Sequence, residues 1–313
     1  MSVDSSILTK ESANVNKFSL ILQGNSINTL QTVSDKSFNN GEYDIFNKTH
    51  TIIKNGVTIK VKNLDTVNLN AVTFRFLDYL LYKLCKNMSY SRIEPVEEEK
   101  ISKFHNIRIS TTDFMNTIDT TDRNNAKKQI SNSLTSLQNI SLSWSESIKK
   151  KKKTDYINFD TRIVTNFESD RGGYIIQFDL KFLRYLSSYA YLMPFNVNIF
   201  KINLHKHPLS YQIARRLLLH HNMNQNKTNK NTISVKSLLE SLNLLTYRDV
   251  INKGRQIKQL IINPFERDIN YLKEVGILSE WNYQNQNPAN YREWSKSNIS
   301  FIIKSYPTKN DHK

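Results

Sequence analysis

One long stretch of the chain, residues 253–275, has apolar residues at steps of three and four. This spacing puts them on one face of a helix, so the stretch is predicted to form a long helix with one buried side. Pro264 lies inside it, and because an interior proline removes a backbone hydrogen bond, we expect a bend there or two helices in succession. The predicted apolar face consists of Ile257, Leu260, Ile261, Phe265, Ile269, Leu272 and Val275.

The opposite face of the same predicted helix carries cationic and amide side chains. Arg and Lys match the guanine edge and phosphate oxygens, whereas Asn and Gln match the adenine edge in the major groove. We therefore predict that this helix lies in the major groove of DNA. Its predicted DNA-contacting residues are Lys253, Arg255, Gln256, Lys258, Gln259, Asn263 and Arg267, with Asn270 further along the same face.

The residues around this helix complete a recognisable unit. Gly276 stands where a helix end favours a left-handed residue, and residues 277–281 and 300–306 are predicted strands. A helix followed by a glycine turn and two strands is the end of a winged helix, in which a hairpin follows the recognition helix. Upstream, helices at 211–221 and 236–242 flank a predicted strand at 232–235.

The same order of elements occurs earlier in the chain. It begins with a mostly buried helix over 64–87, for which Asn70 is a candidate N-cap, and continues with a strand at 105–110 and a short helix from 111 or 112. Asp122 then caps a longer helix whose apolar face is Ala126, Ile130, Leu134, Leu137 and Ile140. The predicted DNA-contacting residues on its other side are Arg123, Asn124, Lys127 and Lys128.

A run of lysines follows this helix, between two predicted strands at 141–145 and 156–167. Like charges at a hairpin tip repel each other unless a polyanion neutralises them, so we predict a wing that contacts phosphates. Its members are Lys149, Lys150, Lys151, Lys152 and Lys153. A turn at Gly172 and Gly173, a strand at 174–178 and a helix at 181–191 end this part of the chain.

Two predicted elements precede the first unit. Residues 1–40 are rich in Ser, Asn, Thr and Lys, which indicates a polar arm with little core of its own. Residues 50–61 form two alternating runs joined by Asn55-Gly56, the pair that suits a type I′ hairpin turn. The predicted fold is therefore α+β, with two tandem winged-helix domains, at 67–194 and 195–313, preceded by an N-terminal arm with a β-hairpin at 1–66.

The composition supports a nucleic-acid partner. The formal net charge is +16 and the sequence pI is about 9.6, values typical of proteins that bind a polyanion. No apolar run is long enough for a membrane span and the N-terminus lacks an apolar signal core, so we expect a cytoplasmic protein. The single cysteine, Cys85, fits a reducing compartment, and its apolar neighbours predict a buried structural thiol.

Catalytic motifs are weak. His205, Lys206 and His207 with Tyr211 loosely match the metal and tyrosine of a nicking enzyme, but a lysine stands where that motif requires an apolar residue. No Gly-Lys pair exists for a phosphate-binding loop, and the acidic residues Asp155, Asp160 and Asp179 are spaced as ordinary strand and loop residues. We therefore predict no catalytic residue, no metal site and no cofactor.

Three segments resemble a known family, the Firmicutes-type and iteron-type plasmid replication initiators with two tandem winged helices. They are HPLSYQIARRLLLHHN at 207–222, NTISVKSLLESL at 231–242 and IINPFERDINYLKEVGIL at 261–278. In the last of these, Pro264, Asp268, Ile269 and Asn270 are similar to the family's recognition-helix region. The resemblance is thinner over 67–192, where it rests on element order and on TDFMNTIDTTDRNNAKKQISNSL.

The resemblance implies a sequence-specific protein that binds direct repeats in double-stranded DNA at a plasmid origin, helps to open an adjacent segment and recruits the host's helicase machinery. It also implies that the second domain makes the main specific contacts, while the first dimerises or contacts neighbouring DNA. Two alternatives remain open. The first is a winged-helix transcriptional repressor, which needs the same groove-reading surface. The second and less favoured alternative is a nicking initiator.

Overall fold

The computed structural model describes residues 19–23, 30, 42–44, 46–54, 57–62, 69–87, 104–150, 153–189, 191–242, 256–284 and 291–304. Within these ranges the chain forms helices and antiparallel sheets in an α+β arrangement, as predicted. None of the helices in these ranges combines the length and the apolar character needed to cross a membrane.

The helices of the first half begin where their capping residues predict. Asn70, Ser110 and Asp122 each accept a hydrogen bond from a backbone N–H in the first turn that follows. The helices are α1 (Ala71–Asn87), α2 (Thr111–Ile118), α3 (Arg123–Gln138) and α4 (Leu180–Tyr189). The candidate N-cap Asn70 is confirmed, so the first helix begins at Ala71 and not at residue 64, where the predicted range begins.

The first winged helix combines α2 and α3 with a sheet of three strands. The strands of the first half are β1 (Ser19–Gln23), β2 (Glu42–Asp44), β3 (Thr49–Lys54), β4 (Val57–Lys62), β5 (Asn106–Ser110), β6 (Ile140–Lys150), β7 (Lys153–Arg162), β8 (Val164–Asp170), β9 (Gly173–Phe178) and β10 (Tyr191–Phe195). In the three-stranded sheet β9 lies between β5 and β8. Phe114 of α2 and Ile130 of α3 are buried in the core that forms beside it.

The hairpin β6–β7 is inserted between α3 and β8 and joins the earlier strands β2, β3 and β4 in a separate sheet, the inserted sheet, with the strand order β2-β3-β4-β6-β7. The predicted N-terminal hairpin is confirmed as β3 and β4, and Val61 of β4 pairs with Ile140 of β6. The predicted single strand over 156–167 is wrong, since the chain leaves this sheet after Arg162 and enters the three-stranded sheet at Val164. The lysine-rich hairpin β6–β7 is thus an insertion, and β8–β9 takes the place of the predicted wing.

Within the predicted polar arm, the strand β1 and the single residue Leu30 are described, and both pack against the rest of the chain. Strand β1 pairs with β10, a strand that the sequence did not predict, and Ser19 lies opposite Phe195 in that ladder. Leu30 is fully buried in the hydrophobic core. The arm therefore packs with the rest of the chain at these positions.

The second winged helix follows a 3-10 helix at Val197–Lys201. Its helical elements are α5 (Ser210–Met223), α6 (Val235–Leu242), a π-helical segment (Lys258–Ile262), α7 (Asn263–Glu274) and α8 (Tyr291–Lys296). Its strands are β11 (Thr232–Ser234), β12 (Leu278–Tyr283) and β13 (Asn298–Ile303), in the order β11-β13-β12. Both halves therefore place the last strand between the other two, which confirms the predicted tandem winged helices.

Helix α7 ends as the glycine predicts. Gly276 has a φ of 79°, in the left-handed region. Its N–H donates to the Lys273 carbonyl at 3.1 Å, and the N–H of Ile277 donates to the Leu272 carbonyl at 2.9 Å, the two bonds of a Schellman motif. This turn directs the chain from α7 into β12.

Helix α1 connects the two winged helices through buried polar side chains. The Arg75 guanidinium donates to the carbonyls of Phe200, at 3.2 Å, and Ile202, at 2.9 Å, beside the 3-10 helix that joins the halves. The buried carboxylate of Asp78 accepts hydrogen bonds from Tyr211, at 2.5 Å, and Arg215, at 3.1 Å, both on α5. These contacts link α1 to the start of the second winged helix.

Candidate nucleic-acid interface

The second recognition helix consists of the π-helical segment Lys258–Ile262 and α7. Ile261, Phe265, Ile269 and Leu272 are buried on one side. The predicted DNA-contacting residues Gln256, Lys258, Gln259, Asn263 and Arg267 are all exposed, and so is Asn270. The predicted residues Lys253 and Arg255 lie outside the described residues. The exposed face therefore has the amide and cationic character that a major groove requires.

Pro264 produces two helical segments in succession, one of the two outcomes expected from its position. The helical path begins after Gln256, which has a φ of 58°. The N–H of Asn263 donates to the Lys258 carbonyl, five residues earlier, which is the spacing of a π-helix. Pro264 is the second residue of α7, which begins directly after the end of the π-helical segment.

The buried face differs from the prediction at one position. Ile257 and Ile261 continue the stripe that begins with Phe265, at steps of four residues, and Ile261 is buried. Leu260 is not on this stripe: it is 47% exposed, so its predicted place on the apolar face is wrong. Ile257 and Ile261 lie towards the core, whereas Leu260 lies beside Gln259 on the exposed side.

The motif residue Asp268 holds the second recognition helix in place. Its fully buried carboxylate accepts a hydrogen bond of 2.7 Å from the N–H of Leu209, at the start of α5. Arg267 donates to the other carboxylate oxygen at 2.8 Å, and the Nδ1 atom of His207 lies 3.4 Å from it. The positive end of the α5 dipole and the Arg267 guanidinium compensate the buried charge. Asp268 is therefore a positioning residue. One N–H of the predicted DNA-contacting residue Arg267 is used in the hydrogen bond to it.

Aromatic residues of β12 tie the wing to the same helix. The indole N–H of Trp281 donates to the Asn270 side-chain carbonyl at 2.9 Å. The Tyr283 hydroxyl donates to Glu266 at 2.9 Å and accepts from the indole of Trp294, in α8, at 2.7 Å. Burial, with Glu266 adding to it, raises the pKa of Tyr283, so its hydroxyl keeps its proton. These bonds hold helix and wing in one orientation.

The first recognition helix is α3. Its predicted DNA-contacting residues Arg123, Asn124, Lys127 and Lys128 are all exposed, whereas Ala126, Ile130, Leu134 and Leu137 on the other side are fully buried. Strand β9 reaches this helix, since the Tyr174 hydroxyl donates to the Lys127 carbonyl at 3.4 Å. The wing β8–β9 and the exposed end of α3 therefore lie next to each other.

The tip of the first wing carries a cation that the sequence analysis missed. Arg108 of β5 donates to Asp170 at 2.6 Å and to the Arg171 carbonyl at 2.9 Å, and so holds the turn. A Cβ atom on Gly173 would lie 2.0 Å from the Ile109 carbonyl oxygen, so only glycine allows this close approach. The exposed Arg171 is thus presented on a rigid turn. Arg171 directly precedes the Gly172-Gly173 turn between two predicted strands, and this position in the sequence could have identified it as a hairpin-tip cation.

The lysine-rich hairpin belongs to the inserted sheet. Lys149 and Lys150 lie in β6 and Lys153 in β7, with Lys150 opposite Lys153, while Lys151 and Lys152 lie outside the described residues. Further along this sheet, Lys60, Ser141 and Arg162 occupy one row across neighbouring strands. Lys60 and Arg162 are exposed, so the solvent side of the inserted sheet carries additional positive charge.

The residues considered for nicking chemistry have other roles. Tyr211 is 1% exposed and hydrogen-bonded to Asp78, and its burial beside this carboxylate raises the pKa of its hydroxyl well above the usual value. His207 stacks on Tyr271, with ring centroids 3.7 Å apart. Cys85 is buried, as predicted, and burial raises the pKa of its thiol to about 12. Among the described residues, no three His, Cys, Asp or Glu side chains are grouped closely enough to hold a metal ion.

The chain is similar in structure to an initiator protein. Its similarity to the Pi initiator protein, crystallised in complex with iteron DNA, has a TM-score of 0.51 at 13% identity and covers 92% of this chain and 99% of that chain. Two crystal structures of RctB domains 2 and 3 are also similar, with TM-scores of 0.42 and 0.46 at 11% identity, covering 82% and 87% of this chain and 90% and 99% of those chains. No protein-family model matches this chain, and no curated protein does so either. The resemblance expected from the sequence is confirmed at the level of the fold.

Proposed function

We propose that this protein is a replication initiator that binds direct repeats in double-stranded DNA at a plasmid origin. One observation carries the proposal: two winged helices in one chain each expose a cationic, amide-bearing face on the recognition helix while the opposite face is buried. The net charge of +16 and the fold shared with the Pi initiator protein, which binds iteron DNA, support it.

The two recognition helices divide the work in this proposal. The second recognition helix reads base edges through Lys258, Gln259 and Asn263, because amide side chains and a lysine match the major-groove edges of adenine and guanine. The first presents Arg123, Lys127 and Lys128 to phosphates and to a neighbouring stretch of the same site. Arg171 at the tip of the first wing and the lysine-rich hairpin add phosphate contacts, which strengthen binding without selecting a sequence.

Opening of the duplex follows from binding in this proposal, without an active site of its own. The buried positions of Tyr211 and Cys85 support that part, since neither can act as a nucleophile from the core. Strand opening then depends on the free energy of binding, on supercoiling and on a host helicase that the bound protein recruits. We further propose that the protein works in the cytoplasm, away from membranes, and forms a homodimer through its first half.

The test is fluorescence anisotropy on duplexes tiled across the DNA that flanks the gene, at two salt concentrations, with a scrambled duplex as the control. We expect a duplex with direct repeats to bind at least about 10³-fold more tightly than the scramble. A matched variant, Asn263→Ala, should lose this preference but keep its weak binding to the scramble. Equal and steeply salt-dependent binding to every duplex would contradict the proposal, because the basic faces would then grip only phosphate.

Incubation of a supercoiled origin plasmid with the protein and Mg²⁺ or Mn²⁺ tests the absence of nicking. The plasmid should remain supercoiled. Conversion to the relaxed form that persists after the protein is removed would contradict the proposal and favour a nicking initiator.

A further inference from the structure

Leu260 is exposed within an otherwise polar face. A single exposed leucine on a protein surface needs no explanation, but this one lies on the second recognition helix, with 47% of its surface accessible. Its N–H donates to the Gln256 carbonyl at 2.9 Å, so it stands one turn after Gln256. It is adjacent to Gln259 and one turn before Asn263, and all three of these amide residues are exposed. An apolar side chain is therefore surrounded by amides.

Leu260 lies outside the buried stripe of its own helix. Ile257 and Ile261 continue that stripe, and Leu260 is exposed between them in sequence. It belongs to the π-helical segment Lys258–Ile262, in which the N–H of Asn263 donates to the Lys258 carbonyl. A single π-turn in a helix is frequently found at functional sites. Burial in the core of this chain therefore does not account for the leucine at this position.

The chemistry of the major groove offers one partner for such a side chain. The edges of the base pairs carry hydrogen-bond donors and acceptors, and the apolar group among them is the 5-methyl group of thymine. The same base pair presents an adenine edge, to which Asn and Gln side chains bind through two hydrogen bonds. A leucine among amide side chains is thus complementary to A·T base pairs.

We propose that Leu260 is a specificity-determining residue that contacts the 5-methyl group of a thymine, in the A·T-containing part of the site read by the neighbouring amides. This inference rests on the proposed function, since it requires the second recognition helix to lie in a major groove. It adds a base-selecting apolar contact to an interface otherwise defined by charge and hydrogen bonds.

The experiment removes only the methyl group. The tightest-binding duplex is selected from a randomised library, and each thymine is replaced in turn by deoxyuridine, which keeps every hydrogen-bonding group. Affinities are measured for the unmodified protein, for Leu260→Ala and for Leu180→Ala. Leu180 is the matched control, because it is 41% exposed and lies in α4, outside both recognition helices and both wings.

We expect deoxyuridine at one thymine to lower the affinity of the unmodified protein for the duplex by about fourfold. This is the effect of removing one methyl group from an apolar contact. Leu260→Ala should weaken binding by a similar factor and be insensitive to deoxyuridine at that thymine, with an unchanged salt dependence. Leu180→Ala should bind as the unmodified protein does.

Three results would overturn the inference. The first two leave the proposed function standing, whereas the third overturns it as well. If specific binding is found but no deoxyuridine substitution weakens it, or if Leu260→Ala keeps the same sensitivity at every thymine, the methyl contact is absent while the initiator proposal stands. If the library yields no sequence bound more tightly than the rest, both are overturned.

Discussion

The buried carboxylate of Asp78 on α1 accepts a hydrogen bond of 2.5 Å from the hydroxyl of Tyr211 on α5. The two residues lie 133 positions apart in the chain and connect the first winged helix to the second. Arg215 donates to the same carboxylate oxygen and balances its charge. In the proposed function both recognition helices bind one DNA duplex, so we expect this junction to contribute to stability and to DNA affinity together.

Substitution of Tyr211 by phenylalanine tests the junction. Tyr211→Phe removes one hydrogen bond to a buried charged group, which should lower the free energy of unfolding by about 1.5–3 kcal/mol. Urea denaturation followed by circular dichroism measures this loss. The control is Tyr82→Phe, because the Tyr82 ring packs against Phe200 but its hydroxyl makes no hydrogen bond to a described residue. Equal denaturation midpoints for the two variants would show that the junction bond adds nothing.

Asp113 should make stability depend on acid pH. Burial raises the pKa of its carboxyl, but hydrogen bonds from Lys83 and Tyr79 outweigh burial and hold the pKa below the ordinary value of 3.8. A carboxyl whose pKa is lowered by folding stabilises the protein above its unfolded pKa and loses that contribution as the pH falls through its folded pKa. The contribution should therefore be complete near neutral pH and decline below a pH of about 4.

The measurement compares the unmodified protein with Asp113→Asn by urea denaturation between neutral and acid pH. The difference between them should be constant near neutrality and shrink below a pH of about 4. Asp119→Asn is the control, because Asp119 is exposed and asparagine tolerates its left-handed φ of 54°. If the difference in stability did not shrink in acid, it would contradict the ion pair between Asp113 and Lys83.

The two glycines of the first wing should respond differently to substitution. Gly173→Ala places a Cβ atom 2.0 Å from the Ile109 carbonyl oxygen, so the β5–β9 pairing must shift and the protein should lose about 3 kcal/mol. Gly172→Asn meets no atom within 4 Å and asks asparagine only to adopt a φ of 85°, which should cost about 1 kcal/mol. Thermal unfolding of both variants measures the ranking, and the reverse order would rule out the close approach.

The salt dependence of DNA affinity should distinguish residues that contact phosphates from residues that contact bases. Arg171→Ala, at the tip of the first wing, should reduce the slope of log affinity against log salt by about one while the preferred sequence stays the same. Gln259→Ala should change the preferred sequence and leave the slope unchanged. Anisotropy titrations at several salt concentrations distinguish the two, and a changed sequence preference in Arg171→Ala would place that residue at a base edge.

The lysine-rich hairpin is expected to contact phosphates only, so its replacement should change the salt dependence of binding and not the sequence preference. Replacement of Lys149, Lys150, Lys151, Lys152 and Lys153 by glutamine should reduce the slope by up to about 4.5 if all five contact phosphates. The preferred sequence should be unchanged. Replacement of Lys60 and Lys62, which are exposed in β4 of the same sheet, shows whether the contact extends beyond the hairpin tip. An unchanged slope in the hairpin variant would leave this surface without a role in DNA binding.

Features that act over a few residues could be predicted from the sequence. Asn70, Asp122 and Gly276 act on backbone groups in the adjacent turn, so the ends of their helices were predicted from local chemistry. The exposed faces of both recognition helices follow from helical spacing in the same way. The element order of the two winged helices was predictable because each element has its own local pattern.

Features that depend on distant partners could not be predicted in this way. The alternating pattern of residues 57–62 indicates a strand, but nothing in it identifies β6, some 80 residues away, as the partner. The wing was therefore assigned to the lysine hairpin, although β8–β9 pairs with β5. Asp268 is part of the motif that resembles the family's recognition-helix region, and Asn270 lies on the predicted DNA-contacting face, but their contacts to Leu209 and Trp281 form only when the second winged helix is assembled.

The sequence by itself determined that this is a basic α+β protein with two successive winged-helix patterns and a cationic, amide-rich recognition helix in each. The tertiary structure alone decided which hairpin is the wing, that α1 joins the halves through Asp78 and Tyr211, and that Leu260 faces outward. The physical reason is the range of the interactions. Caps, turns and helical periodicity act within about one or two turns, whereas strand pairing, buried polar contacts and the choice of buried face are settled by groups that meet only when the whole chain packs.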